Sequence, residues 1–153
     1  MNNQLKSKTR LAYIQLIFQH LSTKNDINEI FDSFDKNYKS ISIDNFHNKK
    51  KIKFEFNSNY LKKLIKFYIK YIELNKHIIE INSYINFDRK FQKWDIINQS
   101  ILIGALTEIK NTEFSKLKIV LNDYLNISKL FIAQSDIGTI NAVLDKLIND
   151  KRS

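Results

Sequence analysis

Residues 118–148, KIVLNDYLNISKLFIAQSDIGTINAVLDKLI, carry two apolar patterns of helical period with a polar break between them. Val120, Leu121, Tyr124, Ile127, Ser128 and Phe131 fall on one face of a first helix, and Ile140, Val143, Leu144 and Leu147 on one face of a second. The interruption is AQSDIG, residues 133–138, read as a loop between the two helices. Ser135 and Asp136 are suited to cap the second helix, and Gly138 to supply an unusual dihedral. A loop of this kind also presents backbone N–H groups to an anion, although capping alone accounts for its residues.

The same period continues upstream. Trp94, Ile97, Ile101, Ala105 and Ile109 mark a helix that ends at NTEFS, where Ser115 is a reasonable cap for the next helix. A shorter helix covers about 76–86, followed by the polar connection NFDRKFQK. Ser58 precedes Tyr60, Leu61, Leu64, Ile65, Tyr68 and Ile72, an amphipathic helix whose other face carries Lys62, Lys63, Lys66 and Lys70. Lysine solubilises an exposed helical face, so that stripe reads first as solvated surface. Asn25 or Asp26 can cap a helix bearing Ile27, Ile30, Phe31, Phe34 and Tyr38, and Leu11, Ile14, Phe18 and Leu21 define the first helix. Residues 39–57 are the weakest stretch. KIKFEF alone would suit a strand, but one short strand without a partner is not stable, so a loop is expected here with Lys49, Lys50 and Lys51 projecting from it.

These patterns predict an all-α fold of about seven helices in a single domain, residues 1–153. The connection at 86–93 separates an N-terminal subdomain, about 1–86, from a C-terminal one, about 94–150. Composition agrees. The chain has no proline and only two glycines, which favours long helices, and 43% hydrophobic residues are enough for one core. There is no cysteine, so neither disulfides nor thiolate metal sites arise. MNNQLKSKTR has no apolar signal core, and no run of ~18 apolar residues suggests a membrane span. A cytoplasmic protein that does not enter a membrane is expected.

The formal net charge of +9 points to a polyanionic partner. Lysine supplies 22 of the 25 basic residues. Lysine, isoleucine and asparagine all have A/T-rich codons, so base composition explains part of that bias. Lys6, Lys8 and Arg10 open the first helix with no acid before Asp26. Cations are slightly disfavoured at a helix start, so their placement there suggests phosphate contacts. Catalytic signatures are missing. His20, His47 and His77 have no metal-ligand spacing, neither glycine belongs to a phosphate loop, and there is no GxSxG. Single Asp and Glu residues on helical patterns read as solvated face. A protein with no metal, cofactor or catalytic activity is expected.

Residues 118–148 resemble the C-terminal pattern of the NusB family of bacterial transcription antitermination factors. Asn122, Asp123, Lys129, Phe131, Ser135, Asn141, Val143, Leu144 and Asp145 occupy matching positions. Trp94, Ile101, Leu102, Ala105 and Glu108 match the family's middle helix, and Arg10, Gln15 and Phe18 its basic start. The resemblance implies two packed helical subdomains. It also implies binding of boxA-type single-stranded RNA with the ribosomal protein NusE, within an RNA polymerase antitermination complex on ribosomal RNA operons. On that basis Lys6, Lys8 and Arg10 form one RNA surface with Ser135, Asp136, Thr139 and Asn141. Phe18 and Asn98 face the protein partner. Asn122 and Asn141 have an equal alternative role, satisfying buried backbone groups.

The sequence departs from the family at several points. Lysines stand for most of the arginines at its start, Thr139 for an aromatic, Ala142 for a glycine, Asn98 for an acid and Ile103 for a base. The same fold also begins certain RNA cytosine methyltransferases. This sequence has neither their nucleophilic cysteine nor their cofactor loop, so the free-standing factor is expected. Two rivals remain: a module of this fold that binds only protein, a partner or a second copy, and a general basic RNA binder.

Overall fold

A computed structural model describes residues 1–38, 42–44, 51–53, 55–86 and 88–152. The chain runs through α1 (Asn3–Thr23), α2 (Ile27–Tyr38), β1 (Ser42–Asp44), β2 (Lys51–Lys53), α3 (Ser58–Glu73), α4 (His77–Ser83), α5 (Ile96–Lys110), α6 (Leu117–Ser128) and α7 (Gln134–Arg152). Short 3-10 turns at Phe91–Lys93 and Phe114–Lys116 lead into α5 and α6.

The helix starts follow from local side-chain chemistry. The Asn2 side chain accepts from the Leu5 N–H, and that of Asn57 from the Tyr60 N–H. Asp26 Oδ1 accepts from the N–H groups of Asn28 and Glu29 at 2.9 and 3.2 Å. Each satisfies amide donors that a helix start leaves open. Asn57 therefore caps α3, while Ser58 donates instead to Asp35 of α2 at 2.6 Å. With glycine so scarce, Lys24 (φ 62°) and Asn75 (φ 52°) take the left-handed positions that end α1 and α3.

α5 organises the packing. Ile101 through Ile109 are all buried, so this helix is covered around its whole circumference and lies at the centre, against α1, α3, α6 and α7. Gly104 marks its approach to α1: a Cβ there would lie 3.6 Å from Tyr13, Ile14 and Ile17. The apolar core is continuous from Ala12 to Ile148.

Two expectations need correction. The stretch 39–57 is not all loop, because Ser42 pairs with Lys53, Ile43 with Ile52 and Asp44 with Lys51 in an antiparallel hairpin. The segment SID, residues 42–44, supplies the partner that KIK lacked. Lys49, Lys50 and His47 lie outside the described residues. Similarly, AQSDIG is mostly helix. α7 begins at Gln134, the Ala133 carbonyl accepts from Asp136 and Ile137, and Gly138 has no left-handed backbone. The class is all-α, with this small hairpin beside it.

Candidate nucleic-acid interface

Of the basic residues that open α1, Arg10 does not face solvent. Its side chain is only 6% exposed and its guanidinium is held by Glu108, Asp123 and Tyr60. Nε and Nη2 donate to the Glu108 carboxylate at 2.8–3.2 Å, Nη1 donates to Asp123 at 2.6 Å, and Nη2 also reaches the Tyr60 hydroxyl at 3.1 Å. The Tyr60 and Tyr124 hydroxyls donate to the same carboxylate. Burial opposes the arginine charge, but Glu108, Tyr124 and Asp123 together hold its pKa above the ordinary range. Burial, and then Glu108, push both tyrosines up as well, so their hydroxyls stay protonated donors. The expected phosphate contact at Arg10 is therefore corrected to an interior cross-link joining α1, α3, α5 and α6.

Lys6 and Lys8 do reach the surface. Lys6 is half-buried at the edge of a groove between α1, α3 and the α5–α6 turn. Lys8 is half exposed and lies 3.5 Å from Glu55, an acid just before α3 that partly neutralises it. Ser7, between them, donates to Asp123 at 2.6 Å. The first turn of α1 carries no acid.

The second group of expected RNA residues gathers at the start of α7. Asp136 and Thr139 line a recess of about 80 Å³ with Arg89, Trp94, Asn98 and Ile140. Ser135 is exposed beside it, and Asn141 is half-buried one turn further along. The Thr139 hydroxyl donates to the Ser135 carbonyl at 3.2 Å, the usual back-bond of a helical threonine. Asn98, expected to meet a protein partner, is 9% exposed because α5 is covered on nearly every side. It serves as a wall of the recess rather than a projecting contact. Phe18 is 40% exposed on α1, as a partner contact requires. Asn122 is exposed and so has no buried backbone to satisfy.

Of the expected RNA residues, Lys6 lines the groove, and Asp136 and Thr139 line the recess. Glu108, beneath Arg10, stands near one end of α5 and Asn98, in the recess, near the other, roughly 15 Å apart at ~1.5 Å per residue. What joins the recess instead is Arg89, missed in the sequence. Its guanidinium is exposed, donates to the Lys93 carbonyl at 3.0 and 3.3 Å, and lies 3.8 Å from Asp95. Its rarity was the available signal, since it is one of only three arginines. A leucine and a phenylalanine, Leu130 and Phe131, are exposed in the turn that leads to α7.

The fold and these surfaces define a class: a helical bundle with basic residues at its surface. No cluster of metal-ligating side chains and no helix long and apolar enough to cross a membrane occurs among the described residues. The NusB family model matches residues 7–149. The chain belongs to the NusB family. The transcription antitermination protein NusB of Rickettsia bellii is 27% identical over 148 residues, spanning 96% of this chain and 92% of that protein. The same protein of Rickettsia typhi is 25% identical over 146 residues, spanning 95% and 92%. Among solved structures, the crystal structure of antitermination factors NusB and NusE in complex with dsRNA contains a similar chain. Its TM-score is 0.73 at 13% identity, covering 97% of this chain and 99% of that one. A chain in the crystal structure of a plectonemic RNA supercoil gives 0.75 at 13% identity, covering 97% of each. At that identity the likeness is one of fold.

Proposed function

We propose that this protein is a transcription antitermination factor that binds boxA-type single-stranded RNA together with NusE and catalyses no reaction. The family match along nearly the whole chain, with relatives that carry this name, is the observation that supports it most. The chemistry of the surface is compatible. Lys6 and Lys8 supply phosphate neutralisation at the start of α1, and the recess at the start of α7 supplies a different kind of contact. There, Arg89 offers a planar fork and Ser135, Asp136, Thr139 and Asn141 offer polar groups suited to the edges of unpaired bases. Phe18 offers an apolar contact to the protein partner. If the RNA and NusE touch one another on the bundle, each raises affinity for the other by the same factor.

The test is RNA affinity across a salt series, with a boxA-type strand and a scrambled one, each with and without NusE. The proposal expects tighter binding of the boxA-type strand and a preference that NusE strengthens. Equal affinity for both strands makes the protein a general RNA binder. No RNA affinity, even with NusE, makes it a protein-only adaptor.

A further inference from the structure

A groove extends from Lys6 away from the start of α1, and its other walls belong to neither proposed contact site. It has a volume of about 530 Å³, within the ~300–1,000 Å³ of clefts that take a nucleotide-sized ligand. Cations reach it from three elements: Lys6 of α1, Lys63 of α3, and Lys116 from the turn before α6. The two carboxylates at the groove are both countered. Glu108 is held by Arg10, and Glu113 lies 3.0 Å from Lys116. The remaining walls combine apolar and neutral polar groups. Phe67, half-buried on α3, and Ile119, 63% exposed on α6, face the same space, with Asn3, Asn111 and Thr112 around it. Lys63 now rests its ammonium 5.8 Å from the centre of the Phe67 ring.

A basic track leads away from this groove. Lys63, Lys66 and Lys70 follow one another along the exposed side of α3 and span ~10 Å at ~1.5 Å per residue. Among the described residues no acidic side chain pairs with any of them. An unpaired lysine row beside a cleft with an aromatic wall is the combination that tracks a single strand: cations for phosphates, a flat apolar face for a base.

We propose that this groove seats one nucleotide of the bound RNA, and that the strand continues over α3 along Lys66 and Lys70. Lys63 swings from Phe67 to a phosphate, and the base takes its place on the ring, with Ile119 closing the other side. The proposal rests on the RNA-binding reading and extends its path beyond the start of α1.

The experiment compares the salt dependence of affinity for a boxA-type strand and for the same strand lengthened at both ends. It uses the full chain, a Lys63→Gln/Lys66→Gln variant, and a Lys36→Gln/Lys76→Gln control that loses the same charge elsewhere. All four lysines are exposed, so folding is not at stake. The lengthened strand is expected to bind the unaltered protein with a steeper salt slope. The groove variant should lose about 0.7 of slope per lysine–phosphate contact, while the control changes little. A 4-thiouridine in the lengthened strand should cross-link to the peptides carrying Phe67 or Ile119. Equal slopes for the groove variant and the control, with Lys8→Ala, outside the groove, still lowering affinity, would overturn the groove and leave RNA binding intact. No salt-dependent affinity in the unaltered protein overturns both.

Discussion

Arg10 and Glu108, 98 residues apart in the chain, form a buried pair in which one guanidinium meets one carboxylate through three hydrogen bonds of 2.8–3.2 Å. Tyr60 and Tyr124 add hydroxyl donors to the same carboxylate, and Asp123 takes the remaining edge of the arginine. Four helices therefore meet at a charge cluster that is largely shielded from solvent, with Arg10 and Glu108 each only 6% exposed. Its worth lies in being complete, because removing one member strands the others in a low-dielectric interior.

Glu108→Gln should consequently destabilise the protein by about 3–5 kcal/mol, the usual penalty for breaking a buried ion pair. Chemical denaturation measures it. Asp123→Asn should cost less, because the Asp123 side chain is 18% exposed and water can replace part of what is lost. Arg10→Met should also destabilise the fold, yet the folded fraction should retain the salt slope of RNA binding. A drop in slope equal to that of Lys6→Ala would mean that Arg10 reaches the RNA after all.

Glu55 lies 3.5 Å from Lys8, and both side chains are more than half exposed. Such a pair contributes little to stability, but it holds back a cation proposed to meet phosphate. Glu55→Gln should leave the melting temperature nearly unchanged. RNA affinity at low salt should rise by up to roughly fivefold, the upper end of what an exposed ion pair is worth. Unchanged affinity would show that Lys8 lies off the RNA path.

The helices were legible because each must bury a face, and burial writes a 3.6-residue period into Leu61, Leu64, Ile65 and Tyr68 or Val143, Leu144 and Leu147. The start of α7 was not, because buried Ile137, three residues before Ile140, was not counted into the apolar pattern. Gln134, Ser135 and Asp136 look the same in a loop. The hairpin was missed because strand pairing needs two segments, and the alternation of SISID was not set against that of KIK. Charge was the least legible property. Arg10 carries the same letter at a surface or in the interior, and its destination depends on Glu108 and Asp123, about a hundred residues away. One local clue existed: Glu108 sits in ILIGALTEI, where its neighbours leave no polar face for it to occupy. Likewise Asn98 belongs to a helix buried on nearly all sides, which denied it the projecting role.

His20 supplies a pH dependence. Its Nδ1 lies 2.6 Å from the hydroxyl of fully buried Tyr68, and Lys24 and Asp26 are the charged groups that act on it. Burial, then Lys24, lower its pKa below 6.5, with Asp26 opposing. Burial lowers that of His77 too. A base with a depressed folded pKa takes up its proton more readily when unfolded. Its stabilising contribution is therefore complete above 6.5 and is lost as pH falls through the folded value. The thermal midpoint should decline as pH drops below 6.5, and His20→Gln should flatten part of that decline. A midpoint independent of pH across this range would contradict the lowered pKa of these two half-buried histidines.

Gly138 occupies the second turn of α7 with no left-handed backbone, and a Cβ there would meet nothing within 4 Å. The residue gains nothing from being glycine and loses chain entropy on folding. Gly138→Ala should raise stability by about 0.5–1 kcal/mol. Calorimetry would show it as a higher melting temperature. A loss of stability instead would mean that the α7 start is not helical at this position. The same variant adds a methyl group one residue from Thr139, so a fall in RNA affinity without loss of stability would place this turn in direct contact with the strand.

Arg89 separates affinity from selectivity. One acceptor already orients it, the Lys93 carbonyl that takes its Nε and Nη2, with Asp95 a looser ion-pair partner at 3.8 Å. A guanidinium held in this way presents its free edge in a set direction beside Asp136, Thr139 and Asn98, as recognition of a base edge requires. Lysine keeps the charge but not the fork. Arg89→Lys should preserve the salt slope of binding while narrowing the difference between a boxA-type strand and a scrambled one. A single well-placed bidentate contact gives ~1–3 kcal/mol of discrimination, so selectivity should fall about tenfold. Arg89→Ala should lose the same selectivity and also about 0.7 of salt slope if the guanidinium touches a phosphate as well. If both variants discriminate as the unaltered protein does, the recess is not where sequence is read, and selectivity must come from the groove and α3 alone.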